Sequence, residues 1–277
     1  MTAARWIPML ALAVAMGCTN GATGSDPADA APPDMMRAIR DFAHDATPAP
    51  SASVKGQIVD EAGKPIPLAF ASICNPYGCH STDADADGNF VINGIQLGDC
   101  GLRTHENLDL SPRLGVTVRL LHLPDPVMVD GGKLYVPNMG VGAAIDLKST
   151  TPQAYELGDG VTITVVGKDL DPPLGFSAEN MVARAIKPEH WPTFDLGGEQ
   201  ILGVYSTLPY ATKSASPVGF AATLAGTPGD AVHIRSIDEF NGKFFPAVSG
   251  HVSVDGKSVS TDPGVGLAVL SWVIVSR

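Results

Sequence analysis

The chain has 277 residues, with 18 lysines and arginines against 29 aspartates and glutamates, for a formal net charge of −11. A body this acidic repels phosphate backbones and anionic head groups, which excludes nucleic acid as a partner. Glycine (30) and proline (23) are plentiful while charged residues make up only 17%, a profile of many short strands punctuated by turns rather than of long helices.

The first eighteen residues, "MTAARWIPMLALAVAMGC", combine a positive start at Arg5, an apolar run over 7–16 and small or slim residues before Cys18. An export signal has this order, and the run is short of the roughly 20 residues that cross a bilayer. Its end resembles the bacterial lipobox, and the resemblance implies cleavage after Gly17 and acylation of Cys18. Residues 1–17 are then a signal peptide, and the protein is lipid-anchored to the membrane rather than spanning it, each buried methylene contributing about 0.8 kcal/mol. Thr19 in place of aspartate sorts such a lipoprotein to the outer membrane of a two-membraned envelope. Residues 18–52 read as a lipidated tether. "TNGATGSDPADAAPP" is small, polar and solvated. After it, Met35, Met36, Ile39 and Phe42 recur at helical spacing behind Asp34, which predicts a short amphipathic helix ended by Pro48 and Pro50.

From Ser53 the apolar period drops to two. "VKGQIVDEAGKPIPLAFASIC" predicts a strand over 54–59, a turn at Glu61, Ala62, Gly63 and Lys64, and a strand over 68–74. "NPYG" follows as a type I turn, with Pro76 second and Gly78 fourth. Three more strands come from Cys79, "NFVINGI" and "CGLRTH". Short strands joined by tight turns indicate an antiparallel β-sandwich over 53–123.

Within it, "STDADADGNF" poses a choice. Counted from Asp83, a calcium loop finds carboxylates at positions 1, 3 and 5 (Asp83, Asp85, Asp87) and Gly88 at 6, but the bidentate position 12 is Gly94. The turn reading explains more: Asp87 bonds its own backbone, Gly88 takes a positive φ, Phe90 and Ile92 point inward, and Val91 and Asn93 point outward. A calcium contact at Asp83, Asp85 and Asp87 is the alternative, since three carboxylates in one loop repel.

The same region resembles the carboxypeptidase regulatory-like (transthyretin-like) domain. Val54, Gly56, Asp60, Gly63, Pro65, Thr82, Asp83 or Asp85, Gly88, Phe90 and Gly98 stand at the pattern's positions. The resemblance covers 53–105, with one extra Asp-Ala pair in the turn and Cys100 where tyrosine is usual. It implies a seven-stranded β-sandwich with no catalytic residues, a structural or recognition module.

Residues 124–277 read as a second all-β domain, a sandwich or open barrel, beyond a break at Pro124–Pro126. Its strand candidates include "GKLYVP", "GAAIDL", "GVTITVVG", "MVARAI", "ILGVYST", "AVHIRSI", "HVSVDG" and "GLAVLSWVIVS". "GHVSVDGKSVSTDPGVGLAVLSWV" resembles the last strands of β-rich extracellular domains of bacterial surface proteins, and the resemblance implies turns at Gly256, Asp262, Gly264 and Gly266 and a closing strand anchored by Trp272. The fold class is all-β, with two β-sandwich-type domains after the signal and tether.

Chemistry is sparse. Cys74 and Cys79 flank a four-residue turn and face each other across a hairpin, so a disulfide is expected between them, with a bond to Cys100 as the alternative. Zinc on Cys74, Cys79, His80 and Cys100 is disfavoured because Cys79 and His80, neighbours on a strand, point to opposite faces. There is no Gly-x-Ser-x-Gly and no His-Glu-x-x-His; His105-Glu106 and Glu189-His190 are isolated pairs. The ferric site of intradiol dioxygenases needs a His-x-His that "GVTVRLLHLPD", with only His122, lacks, and Tyr77 is the one tyrosine nearby. Aromatic residues beside prolines in "KPEHWPTFD" (His190, Trp191, Phe194) and "VYSTLPYATK" (Tyr205, Tyr210) are candidate ligand-binding rings, with core filling as the competing reading. The expectation is a non-enzymatic, lipid-anchored envelope protein with no cofactor and a structural or recognition role. The alternatives are a module binding a glycan, a peptide or an envelope protein, and a metal-dependent enzyme.

Overall fold

The structure, a computed structural model, describes residues 49–105 and 113–277. Cys18, the signal segment, most of the tether, the helix expected at 34–42 and Glu106 lie outside the described residues. Residues 49–277 form one compact unit that is all-β, without an α-helix among the described residues.

The first sandwich contains β1 (Ser51–Asp60), β2 (Phe70–Asn75), β3 (Gly78–Asp83), β4 (Asn89–Gln96), β5 (Gly98–Thr104), β7 (Val118–Leu123) and β8 (Met128–Val136), with the two-residue β6 (Arg113–Leu114) beside it. Its sheets run β4-β1-β8 and β3-β2-β5-β7, seven strands in all, the number the regulatory-like resemblance implies. Val54, Ile58, Ile73, Phe90, Ile92, Leu102 and Leu134 fill the space between them. β1 begins inside the expected tether, where Ser51 and Ala52 already pair with Gln96 and Ile95. β8, beyond the expected break at Pro124–Pro126, lies parallel to β1 in the first sandwich.

The motif residues have local reasons. Asp60 Oδ1 accepts the N–H groups of Ala62 and Lys64, which closes the turn in which Gly63 takes φ +82°. Gly88 (φ +74°) lies so close to β1 that a Cβ would meet the Ile58 carbonyl at 2.5 Å. At Gly56 a Cβ would meet the Phe90 ring at 2.6 Å, so the glycine makes room for that buried ring.

The rest of the chain contributes β9 (Asn138–Met139), β10 (Ala143–Ala144), β11 (Gln153–Gly158), β12 (Val161–Val165), β13 (Leu170–Asp171), β14 (Asn180–Ala185), β15 (Ile201–Leu208), β16 (Thr212–Thr223), β17 (Ala231–Asp238), β18 (Lys243–Phe244), β19 (Val248–Val252), β20 (Ser258–Thr261), β21 (Leu267–Leu270) and β22 (Trp272–Ser276). Their main sheet runs β10-β14-β15-β22-β17-β19-β20-β16-β12-β11 and nearly closes on itself. At the closure the Asp159 carboxylate accepts the Ala185 N–H at 3.1 Å.

Alternation along β22 explains how the two halves join. Val273 and Val275 face the interior of the curled sheet with Leu157, Ile163, Phe220 and Ile234. Trp272 and Ile274 face the other way and pack with Val116, Val118 and Met139. A strand buried on both faces reads as the unbroken apolar run seen in the sequence. The Trp272 indole donates to the Val116 carbonyl at 2.6 Å, so its one polar atom is satisfied where the ring is fully buried. The expected anchor is therefore present, and it anchors two sheets rather than one.

Candidate functional site: two clefts at the junction

The turn between β17 and β18 is the wedge that builds the junction. It rests on β5, and two glycines permit the contact. A Cβ at Gly101 would fall on the Glu239 carbonyl, and one at Gly242 on the Cys100 amide. Gly242 also takes φ +60°. The wedge delivers Glu239 to Arg103: Nη1 and Oε1 form an ion pair at 2.8 Å, the Glu239 side chain being 2% exposed. The Arg103 guanidinium lies 5.5 Å over the Tyr210 ring. Burial raises the Glu239 pKa, opposed by Arg103. Burial, then the Glu239 charge, pushes the Tyr210 phenol well above its usual range.

Beside this cluster, the buried Ser72 hydroxyl lies 3.0 Å from His105 Nε2 and accepts from Arg103 Nε at 3.4 Å. Burial, aided by the Arg103 charge, pulls the His105 pKa down to about 4, so the imidazole is neutral near pH 7 and shaped as a base. Yet Ser72 is 3% exposed, which leaves a substrate no approach to its hydroxyl. The pair is a structural hydrogen bond.

A cleft opens on each side of the wedge. One, of about 430 Å³, is lined by Arg103, Asp171, Leu174, Lys213, Glu239 and Phe240. The other, of about 510 Å³, is lined by Asp99, His122, Phe194, Asp195, Lys243 and Phe244. In the second, Asp99 holds His122 Nδ1 at 2.7 Å and faces Lys243 Nζ at 3.8 Å. Phe194 and Phe244 meet edge to face with ring centroids 5.6 Å apart.

Tyr205 and Tyr210 require a correction as ligand-binding rings. Both are buried, at 3% and 1% exposure, Tyr205 against Phe220 and Tyr210 beneath Arg103. The alternation of β15 turns Tyr205 into the core, and the turn after it folds Tyr210 under the wedge. Trp191 is half-buried, with its indole donating to the Ile186 carbonyl at 2.7 Å. His190 stacks on Tyr135 of β8 at 4.1 Å, so this loop packs across the junction instead of reaching into solvent. Of the rings in "KPEHWPTFD", Phe194 lines the 510 Å³ cleft. Phe244, absent from the sequence-based candidates, joins it from a two-residue strand that no periodicity marks.

The acidic stretch is a turn, but on a different aspartate than expected. Asp85 Oδ1, not Asp87, accepts the N–H groups of Asp87 and Asn89, at 2.9 and 2.8 Å. These bonds hold the Asp85 carboxyl below its usual range, the Asn89 amide contributing most. Phe90 and Ile92 are buried and Val91 and Asn93 exposed, as the alternation required. Asp83 belongs to β3, opposite Phe70. Among the described residues, no three His, Cys, Asp or Glu side chains converge as a metal-holding group.

Cys74 and Cys79 form the disulfide, facing each other across β2 and β3. Cys100 is a free thiol in the core, pushed up to about 12 by burial and then by Asp99. Its Sγ donates to the Leu121 carbonyl at 3.6 Å.

No family model matches the sequence, and no curated protein is detectably similar to it. Several solved structures bear a distant likeness. The TIE protein of Bacillus anthracis aligns at TM-score 0.26 and 12% identity over 80% of this chain, which spans 34% of that protein. A protein of Bacteroides uniformis proposed to bind carbohydrate aligns at TM-score 0.26 and 11% identity, covering 73% of this chain and 99% of the other. The major pilin subunit BcpA of Bacillus cereus aligns at TM-score 0.24 and 9% identity over 82% and 95% of the two chains. Likeness this distant assigns no activity to this chain.

Proposed function

We propose that this chain is a non-enzymatic, lipid-anchored protein of the bacterial cell envelope, held through Cys18 in the outer membrane, whose sandwiches serve structure or recognition. One observation carries the non-enzymatic part: the buried ionised groups at the junction are committed to each other. Arg103 and Glu239 form an ion pair, with the Arg103 guanidinium over the Tyr210 ring, and the serine nearest an imidazole is sealed from solvent. A general acid or base must reach a substrate proton; the Ser72 hydroxyl reaches only protein, and the Glu239 carboxylate, at the edge of the 430 Å³ cleft, is held by the Arg103 cation. The anchor rests on Arg5, the apolar run over 7–16 and Cys18.

Growth with a radiolabelled fatty acid tests the anchor. Label is expected in the native chain and in the membrane fraction, and both are expected to be lost in Cys18→Ser. Label retained by Cys18→Ser would remove the lipid from the proposal.

A further inference from the structure

We propose that the cleft of about 510 Å³ beside the wedge binds a ring of a neutral saccharide, stacked on Phe194 and Phe244 and hydrogen-bonded by Asp99, Asp195 and Lys243. The inference rests on the recognition part of the reading above and is independent of the anchor.

A pyranose combines an apolar face of C–H groups with a rim of hydroxyls that each donate and accept. A site for it needs an aromatic surface surrounded by fixed polar groups of both kinds. This cleft has that composition. Phe194 and Phe244, both half-buried, are fixed edge to face, and Phe194 is backed by Trp272 at 6.5 Å. The rim is more open: the side chains of Asp99, His122 and Lys243 are 42%, 66% and 65% exposed. Asp99 and Asp195 accept, Lys243 donates, and the Asp195 carboxylate is steadied by the Gly197 amide at 3.1 Å. The volume falls within the roughly 300–1,000 Å³ of small-molecule sites.

Charge selects among sugars. Two carboxylates stand in the cleft against one ammonium and one imidazole, on a chain of net charge −11. That gives no excess of positive charge to hold uronic acids, sulfates or phosphates, so a neutral ligand is favoured. The 430 Å³ cleft fits less well. Phe240 is its one aromatic ring, so it offers no aromatic pair for a sugar face to lie on.

The test is native electrophoresis of the purified full chain through gels containing amylose, hydroxyethyl cellulose, xylan, galactomannan or, as an acidic comparison, alginate. At least one neutral polymer is expected to retard it. Lys243→Ala, at an exposed position, and Phe244→Leu, which keeps an apolar side chain but removes the ring, are each expected to weaken that interaction at least tenfold. Lys213→Ala and Phe240→Ala in the other cleft are expected to leave it unchanged. The proposal is overturned if no neutral polymer retards the folded chain, if alginate alone does, or if retardation survives Lys243→Ala.

Discussion

Arg103 of β5 and Glu239 after β17 form a 2.8 Å ion pair across the junction of the two sandwiches, with the Glu239 side chain 2% exposed. Removing one partner strands the other, whereas removing both does not. Arg103→Met is expected to cost about 3–5 kcal/mol near pH 7, and Arg103→Met with Glu239→Gln to recover most of it. Urea unfolding of the two variants checks this. An additive loss in the double variant would show that the pair is not coupled.

The same carboxyl sets a pH dependence. Its folded pKa is raised by burial, so its contribution is full below the unfolded carboxyl's pKa and is lost as pH rises through the folded value. Arg103→Met removes the opposing cation and should steepen that loss, so the variant's deficit is expected to shrink on acidification. Unfolding midpoints at pH 5 and pH 8 measure it.

His105 acts in the opposite direction. Its folded pKa of about 4 lies below the ordinary 6.5, so the unfolded chain binds the proton more readily. Stability from this residue is complete above pH 6.5 and drains away as pH falls toward 4. The difference in midpoint between the native chain and His105→Gln isolates the term, and it should narrow steadily across that window.

Two glycines separate steric need from open space. At Gly101 an added methyl meets the wedge, so Gly101→Ala is expected to cost about 1–3 kcal/mol. At Gly140 it meets nothing within 4 Å, so Gly140→Ala should stay within about 0.5 kcal/mol of the native chain. Thermal unfolding of both variants tests the wedge contact.

The disulfide closes a short loop, and removing it with Cys74→Ser and Cys79→Ser together is expected to cost about 2 kcal/mol in the chain-entropy model. A maleimide should leave Cys100 unmodified until the protein unfolds, because its thiol is buried and its pKa is raised to about 12.

The strands of the first sandwich were legible because their turns carry Asp60, Gly63 and Gly88, residues that act locally. β16 was not legible, although it is long: "TKSASPVGFAAT" is rich in small polar residues and holds Pro217. The proline falls where the register shifts between Lys213 and Val218, a break in pairing that sequence periodicity cannot anticipate. Tyr205 and Tyr210 were misplaced because a ring next to a proline looks the same whether its turn faces solvent or a neighbouring sheet. The wedge was illegible for a related reason, since Gly101, Glu239 and Gly242 acquire meaning only when two distant segments meet.

Mass spectrometry of the native mature N-terminus tests the lipid-anchored reading most directly. The expected species begins at Cys18 and carries a diacylglyceryl group, with Cys74 and Cys79 two hydrogens short of their reduced mass. A native protein that begins at Met1 without an acyl group would contradict it.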